Sequence, residues 1–366
     1  MTACDSCVRR TWLLERLSGY LEFQRRRVEV ILSFEDQLLI DCWLEIAERK
    51  GIEDDLRREY ERFGAAQAEA MRLDAAADGL ELVCLCEAAY PERVRRLFSP
   101  PAVLHVAGGM RRFLELAAAD PVAIVGTRRP TLYGTDVARL LGRGASVSGL
   151  SVVSGMAAGV DAAAHRGALA GGGRTIAVLP GCAAVPYPKT NQQLYRQILR
   201  NGVAISELGA AAPVRKWTLI ARNRIVAALA ELTVVVQGRT RSGALRTAEF
   251  AQMLGCRLGA VPGSVLVPQS EGPHDLLLKG AALIRSPQDV LDAVCGVGER
   301  ALFDPARSGL SDAQRAVFAA IRGGADTVAA LDRAGSGGGA LLMVLAELEL
   351  AGCVRRATGG RYVVVI

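Results

Sequence analysis

The chain has 366 residues, of which 51% are hydrophobic and 22% are charged, and its formal net charge is +6. This length exceeds what one hydrophobic core usually fills, and the apolar content is far above that of disordered proteins, so a single small module and a disordered chain are excluded. Charged residues interrupt every apolar run before it reaches the roughly 18 residues of a membrane span, which excludes a transmembrane protein.

The first 80 residues have the pattern of a small helical domain. Between residues 8 and 78, apolar residues recur at three- and four-residue spacing among charged ones, as on an amphipathic helix. This part is acidic, with 12 basic and 17 acidic side chains. It contains no uninterrupted apolar segment before a small-residue cleavage site, so we expect a cytoplasmic protein without a cleaved signal peptide. The nine cysteines are scattered and odd in number, and we expect reduced thiols instead of disulfides.

A mainly parallel sheet is predicted after an extended segment at residues 80–85, a connector that contains Pro100 and Pro101, and a short helix near residues 111–118. Short, β-branched apolar runs then alternate with stretches of helical spacing. The runs cover residues 122–125, 150–153, 175–179, 203–205, 232–236 and 258–261. The alternation predicts right-handed crossovers and a doubly wound α/β fold, whose continuous apolar strands are covered on both faces. This domain is placed at residues 81–298.

A third domain is predicted at residues 305–366. Its elements are a helix at 312–321, a short segment at 327–333, a helix at 339–351, and a hairpin turned at Gly359 and Gly360. Ser311 precedes the first helix as a plausible N-cap. Helices followed by a hairpin in about 60 residues are typical of a winged helix-turn-helix.

The central domain has the residues expected at an anion-binding site. Residues 121–295 carry 19 basic and 9 acidic side chains, a balance typical of proteins that bind a polyanion. Glycines after strands let backbone N–H groups and helix N-termini approach phosphates, and arginine forms bidentate phosphate contacts. Taken alone, each such loop could be a glycine turn beside a solvated arginine. Together, four such loops, at residues 123–134, 152–165, 214–225 and 239–249, predict a binding site at the carboxyl edge of one sheet.

The predicted binding residues follow from these loops. Cations beside Trp217 suit single-stranded nucleic acid, because its phosphates need cations and its unpaired bases need an aromatic ring for stacking. A solvated basic face with a core tryptophan is the alternative. The predicted DNA- or phosphate-binding residues are Gly126, Thr127, Arg128, Tyr133, Gly134, Ser154, Gly155, Ala157, Gly159, Asp161, Arg215, Lys216, Trp217, Arg222, Asn223, Arg224, Ser242, Gly243 and Thr247.

No catalytic residue, cofactor or metal is expected. The chain has three histidines and contains no dinucleotide fingerprint, no Walker A motif and no Gly-x-Ser-x-Gly elbow. Asp161 and His165 stand four residues apart, which favours a polar contact within one helix over a metal half-site. Cys4, Cys7, Cys84 and Cys86 are enough thiols for zinc. A short pair plus a Cys-x-Cys is nevertheless a weak signal, and ordinary buried thiols are favoured.

Four stretches resemble the DprA/Smf family of DNA-processing proteins from about residue 86 onward. They are Gly126-Thr127-Arg128 with Tyr133-Gly134; Ser154-Gly155-Met156-Ala157-Ala158-Gly159-Val160-Asp161 through His165; Tyr187-Pro188 with Ser206-Glu207; and Arg222-Asn223-Arg224 with Ser242-Gly243 and Pro262-Gly263. The resemblance implies an extended Rossmann-like domain that binds single-stranded DNA, forms a homodimer and loads a RecA-type recombinase in natural transformation. It also implies a C-terminal winged helix and a helical, SAM-like N-terminal region.

The sequence departs from the family pattern before Arg222, and two other functions are kept as alternatives. Ile220-Ala221 stands where the family usually has Phe-Pro before Arg-Asn-Arg. A Rossmann-like nucleotide phosphoribohydrolase would need Gly-Gly-x-Gly-Thr-x-x-Glu, but here the central glycine is missing and Glu249 follows Thr247 by two residues instead of three. A winged-helix transcription regulator would bind a specific duplex sequence instead of a single strand.

Overall fold

The computed structural model describes residues 3–21, 62–209, 212–300, 310–335, 340–351 and 353–364. The chain divides into two units, residues 1–300 and residues 301–366. The helical pattern predicted within residues 22–61 and the Gly-rich turn at 336–339 lie outside the described residues. No helix in the part of the chain that the structure describes is long and apolar enough to cross a membrane.

The first unit is built on a sheet of nine described strands in the order β1-β2-β6-β5-β4-β3-β7-β8-β9. The strands are β1 (Glu81–Cys84), β2 (Val103–Ala107), β3 (Val122–Val125), β4 (Val152–Ser154), β5 (Thr175–Val178), β6 (Val203–Ser206), β7 (Leu232–Val235), β8 (Arg257–Ala260) and β9 (Ala282–Leu283). Neighbours from β6 to β9 are parallel, and β2 and β1 extend the sheet antiparallel beyond β6. The predicted doubly wound, mainly parallel α/β fold is confirmed.

Helices cover both faces of this sheet, as the continuous apolar strands predict. Ile176 and Val178 of β5 pack into one hydrophobic cluster, whereas Ala177 between them packs into another, because successive side chains of a strand point to opposite faces. The α-helices that the structure describes in this unit are α1 (Asp5–Leu21), α2 (Ala65–Ala77), α3 (Glu92–Arg95), α4 (Met110–Ala117), α5 (Leu132–Val147), α6 (Val160–Ala170), α7 (Gln192–Asn201), α8 (Lys216–Leu229), α9 (Gly243–Met253), α10 (Glu271–Leu278) and α11 (Pro287–Cys295).

The described N-terminal helices pack onto the sheet. Val8 and Trp12 of α1 belong to the same buried cluster as Leu82 of β1 and Ala204 of β6. The Trp12 ring lies 5.3 Å from the ring of Phe63. The described part of the first 80 residues therefore shares a core with the sheet and is not a compact unit of its own. The boundary expected at residue 80 separates two sequence patterns inside one unit, and the division into three domains stays a prediction.

The second unit contains three described helices and a hairpin, in the predicted order. They are α12 (Asp312–Arg322), α13 (Val328–Arg333), α14 (Leu341–Leu350), β10 (Val354–Arg356) and β11 (Tyr362–Val364). The Ser311 hydroxyl accepts a hydrogen bond from the Gln314 N–H, so it caps α12 as expected. Val317, Leu331, Leu348 and Tyr362 pack in one core. Whether this unit functions as a winged helix stays a prediction.

The sequence pattern missed the short elements. β9 has two residues, both exposed, and α3 has four, which is too little for hydrophobic periodicity to register. The strand predicted at 150–153 begins two residues later, at Val152, because the Leu150 N–H donates to the Ala145 carbonyl near the end of α5 and not to a neighbouring strand.

Candidate functional site

A cavity of about 400 Å³ lies at the carboxyl edge of the sheet, where β3, β4 and β7 end. The loops after these three strands and one side of α8 form its wall. The lining residues are Val125, Gly126, Thr127, Arg128, Arg129, Gly155, Ala157, Asp161, Leu219, Ile220, Arg222, Asn223, Val226, Ser242, Gly243, Ala244 and Thr247. Strands β3 and β7 are neighbours whose crossovers leave in opposite directions along the sheet, that of β3 toward β4 and that of β7 toward β8, and such a switch point is where open α/β sheets bind ligands.

The structure brings together many of the predicted site residues and leaves the others outside the cavity. Those in its lining are Gly126, Thr127, Arg128, Gly155, Ala157, Asp161, Arg222, Asn223, Ser242, Gly243 and Thr247. Those not in its lining are Tyr133, Gly134, Ser154, Gly159, Arg215, Lys216, Trp217 and Arg224. The lining also contains three residues that were not among the predicted ones: Arg129, which directly follows Arg128, and Leu219 and Ile220, which lie three and two residues before Arg222 on α8.

Asp161 lies at the start of α6, with only 5% of its surface exposed. Its carboxylate accepts a hydrogen bond from the Ala157 N–H at 3.3 Å, and the N–H groups of Gly155 and Gly126 also point to it. Burial raises the pKa of Asp161, while Arg222 and these N–H groups oppose the shift. The loop at 155–159 was expected to offer its N–H groups to a bound anion, and this expectation is wrong for Ala157, because Asp161 already uses the donor.

Arg222 is a buried arginine at the base of the cavity. It donates hydrogen bonds to the carbonyls of Gly155 and Val178, and its Nη2 lies 3.8 Å from Asp161 Oδ2. Burial lowers the pKa of Arg222; Asp161 opposes this shift, and the positive charge of Arg128 adds to it. Arg222 therefore connects the ends of β4 and β5 to α8, and one side of its side chain lines the cavity.

Gly155 leaves room for the Arg222 guanidinium, because a Cβ there would lie 2.0 Å from Arg222 Cζ. We expect Gly155→Ala to displace Arg222 from its carbonyl partners and to lower the free energy of unfolding by about 1–3 kcal/mol. Gly243→Ala is the matched control, since a Cβ at the start of α9 would meet no atom within 4 Å. Urea unfolding of both variants checks this, and equal stability of the two would contradict the predicted clash.

Arg224 does not form the phosphate contact that the sequence predicted. Only 4% of its surface is exposed, and its two terminal nitrogens donate to the two carboxylate oxygens of Glu207. Its Nε also donates to the Ser99 carbonyl at 3.3 Å. Because residues two apart on a helix point to different sides, Arg224 faces the end of β6 while Arg222 faces the cavity. Arg224 is a structural residue of the core.

Trp217 is not available as a stacking platform. It is 4% exposed and packs in the core with Met156 and Ala221. The alternative considered from the sequence, a core tryptophan beside a basic face, therefore describes this segment. Lys216 is exposed and Arg215 is half-buried just before α8, and both lie outside the cavity lining.

The other predicted residues outside the lining stabilise the surrounding loops. The Ser154 hydroxyl donates to the Ile124 carbonyl at 2.7 Å and the Tyr133 hydroxyl to the Pro262 carbonyl at 2.7 Å, so both connect neighbouring segments. Gly134 packs against the Gln237 side chain, where a Cβ would lie 2.2 Å from Oε1. Gly159 has a φ of +85° and precedes α6, a conformation that glycine adopts readily.

The predicted contact between Asp161 and His165 is absent. His165 Nδ1 lies 2.7 Å from the Thr175 hydroxyl on β5, and burial lowers the pKa of His165 to about 3. Both side chains are buried, and other partners replace the contact within the helix: Thr175 of the sheet for His165, and loop N–H groups with Arg222 for Asp161. Neither belongs to a cluster of three or more metal-ligating residues in the described ranges.

Positive charge dominates the cavity. Arg128 and Arg129 are exposed, and Arg222 forms part of the base, whereas Asp161 is the one carboxylate among the described lining residues. The exposed Arg239 and Arg241 belong to the loop that leads to Ser242 and Gly243 at the start of α9. Such a helix start favours anions, because its first N–H groups have no partner within the helix. The cavity and its rim thus suit a phosphate group.

The glutamate that a phosphoribohydrolase would need does not reach this cavity. Glu249 is exposed on α9, pairs with Arg246 at 2.9 Å and does not line the cavity. Asp161, the one carboxylate among the described lining residues, is held by Arg222 and backbone N–H groups. The geometry therefore does not favour glycosidic hydrolysis.

A mainly parallel, doubly wound sheet with a cationic cavity at the switch point of its strands defines a Rossmann-like α/β protein. More particularly, the chain belongs to the family of DNA recombination-mediator protein A, which matches residues 81–295.

Known proteins support this assignment. The chain is 40% identical over 269 residues to a DprA relative from Mycobacterium tuberculosis, covering 71% of this chain and 68% of that protein. The X-ray structure of DprA from Streptococcus pneumoniae aligns with a TM-score of 0.60 at 29% identity, over 79% of this chain and 94% of that one. A DprA structure from Helicobacter pylori, described for its single-stranded DNA binding mode, aligns with a TM-score of 0.53 at 30% identity, over 60% of this chain and 97% of that one.

Proposed function

We propose that the first unit binds single-stranded DNA across the cavity at the carboxyl edge of the sheet. The observation that carries this proposal is the excess of positive charge in the lining, where Arg128, Arg129 and Arg222 stand against the single buried carboxylate of Asp161. Arginines contact phosphates independently of base sequence. The single-stranded DNA binding described for the Helicobacter pylori relative supports the same ligand.

Apolar residues of α8 lie beside the arginines of the cavity lining and provide an apolar surface that bases can contact. Leu219 and Ile220 are half-buried and line the cavity beside Asn223. Unstacked bases have apolar faces that a duplex keeps inside its own stack, so an apolar wall next to phosphate-binding arginines favours a single strand. Leu219 and Ile220 take the place that the sequence analysis assigned to Trp217.

In this proposal the protein acts in the cytoplasm as a homodimer, protects incoming single strands and loads a RecA-type recombinase during natural transformation. It supplies binding and positioning and performs no catalytic step. The family to which residues 81–295 belong is one of recombination mediators, and a mediator must hold the strand that it delivers. Recombinase loading should therefore fall with any substitution that weakens strand binding.

The double variant Arg128→Ala/Arg129→Ala tests the DNA site. We expect weaker binding to single strands of any sequence, because both side chains are exposed at the cavity, and a salt slope lower by roughly 0.7 per lost phosphate contact. Fluorescence anisotropy over a salt series, with single and double strands of equal length, measures both effects. Loading of a RecA-type recombinase onto the same strands should fall in parallel.

The matched control is the double variant Arg111→Ala/Arg200→Ala, which removes the same charge from exposed positions outside the cavity lining. It should bind single strands as the parent chain does. Wild-type affinity and salt slope in the Arg128→Ala/Arg129→Ala variant would show that this edge is not the DNA site. Preferential, sequence-specific duplex binding would favour a transcription regulator instead.

A further inference from the structure

Four cysteines that are far apart in the sequence come together beside the edge strand β1. The Sγ atoms of Cys4, Cys7, Cys84 and Cys86 all lie within 4.8 Å of one another, and those of Cys7 and Cys86 are 3.7 Å apart. All four are free thiols. None of them lines the cationic cavity, so the cluster lies outside the DNA site proposed above.

Local structure positions each pair. Cys4 directly precedes α1 and Cys7 lies in its first turn, so this Cys-x-x-Cys presents both thiols at one end of the helix. The second pair is at the end of β1, where the Glu87 N–H donates to the Cys84 carbonyl at 2.9 Å in a tight turn that contains Cys86. The Glu87 carboxylate accepts a hydrogen bond from the Cys84 N–H at 3.0 Å, which holds the turn.

Arg72 of α2 holds the N-terminal pair against the rest of the unit. Its Nε donates to the Ala3 carbonyl at 3.0 Å, and its guanidinium pairs with Asp5. These contacts lie on either side of Cys4. Both pairs of thiols are therefore placed by hydrogen bonds that do not involve sulfur, and the cluster is preorganised by the fold.

The distances suit one tetrahedral metal ion. Zinc binds thiolate sulfur at about 2.3 Å, so two ligands on a tetrahedron are about 3.8 Å apart, close to the 3.7 Å between Cys7 and Cys86. A disulfide would require about 2.05 Å. We propose that Cys4, Cys7, Cys84 and Cys86 together bind one Zn²⁺ as a structural site that joins the start of α1 to the end of β1.

The four cysteine donors and their burial favour zinc as the metal and a structural role for the site. Four thiolates are typical of zinc or of an iron–sulfur cluster, and a cluster with several irons would hold its ligands further apart than four sulfurs that are all within 4.8 Å. Four protein ligands leave no open position for substrate or water. Cys7 and Cys84 are buried, whereas Cys86 is exposed and gives the ion a path into the site.

Metal analysis of the full chain, purified under reducing conditions without chelator, tests the proposal. We expect one zinc per chain by inductively coupled plasma mass spectrometry, and loss of zinc in both Cys7→Ser and Cys86→Ser. Cys295→Ser is the matched control, because this half-buried cysteine lies outside the cluster, and it should keep its zinc. Cys86→His, which supplies another zinc ligand at the exposed position, should keep zinc where Cys86→Ser does not.

Two further measurements apply even if Cys7→Ser fails to fold. Replacing zinc by Co²⁺ in the parent chain should give the intense visible absorption of a tetrahedral thiolate site. Stripping the metal should lower the thermal unfolding midpoint but leave single-strand affinity below that temperature unchanged, since the cluster is outside the cavity. Purified chain with no zinc and four titratable thiols, with a disulfide among these cysteines, or with iron and sulfide would overturn the proposal.

Discussion

Arg224→Ala is expected to lower the free energy of unfolding of the first unit by about 3–5 kcal/mol, the range found when one partner of a buried ion pair is removed. The substitution leaves the Glu207 carboxylate buried without its cation, and it leaves the Ser99 carbonyl without a donor. Both partners of the pair are more than 90% buried, so water cannot replace the lost contacts. Urea unfolding followed by circular dichroism measures the loss.

The control for this effect is Arg111→Ala. The Arg111 side chain is 93% exposed and pairs with Glu115 at 2.9 Å on the surface of α4, and its removal should change stability by less than about 0.5 kcal/mol. A double variant, Arg224→Met/Glu207→Leu, should regain much of the stability, because no charge is then buried alone. If Arg224→Ala instead unfolds like the parent chain but loses single-strand binding, Arg224 contacts DNA after all.

Arg222→Ala is expected to lower the free energy of unfolding by about 3 kcal/mol. The guanidinium donates to the carbonyls of Gly155 and Val178 and faces Asp161, so its loss removes a donor from two buried carbonyls and leaves the Asp161 carboxylate buried without its cation, held only by backbone N–H groups. Any accompanying loss of DNA affinity is then a consequence of the altered cavity base, and not of one lost phosphate contact.

The stability deficit of Arg222→Ala should depend on pH. Burial already raises the pKa of Asp161 and Arg222 opposes that shift, so removing Arg222 raises the pKa further. A carboxyl whose folded pKa is raised favours the folded state below its unfolded pKa, near 3.9, and loses that contribution as pH rises through the folded pKa. The deficit relative to the parent chain should therefore be smaller at acidic pH and larger at neutral pH. A deficit that is constant across this range would mean that Arg222 does not influence the pKa of Asp161.

Much of the candidate site could be predicted from the sequence because each of its loops is a short, contiguous segment. A β-branched strand, a glycine and an arginine lie within a few residues at Val125, Gly126 and Arg128, and parallel topology brings the ends of such strands to one edge. This is why so many of the predicted loop residues line a single cavity. Arg129, Leu219 and Ile220 were missed because a run of ordinary side chains gives no signal of which ones face a cavity.

The α/β class, the parallel strands, the order of elements in the second unit and the edge of the sheet that carries the cavity can all be predicted from the sequence, since hydrophobic period and crossover handedness are properties of short segments. Which charged side chains are solvated depends on the packing of distant segments. Arg222 and Arg224 look alike in sequence, yet their partners Gly155 and Glu207 lie 67 and 17 residues away, and those partners bury them. In the same way, Cys7 meets Cys86 across 79 residues. Burial and coordination depend on which segments pack together, and no local pattern specifies that.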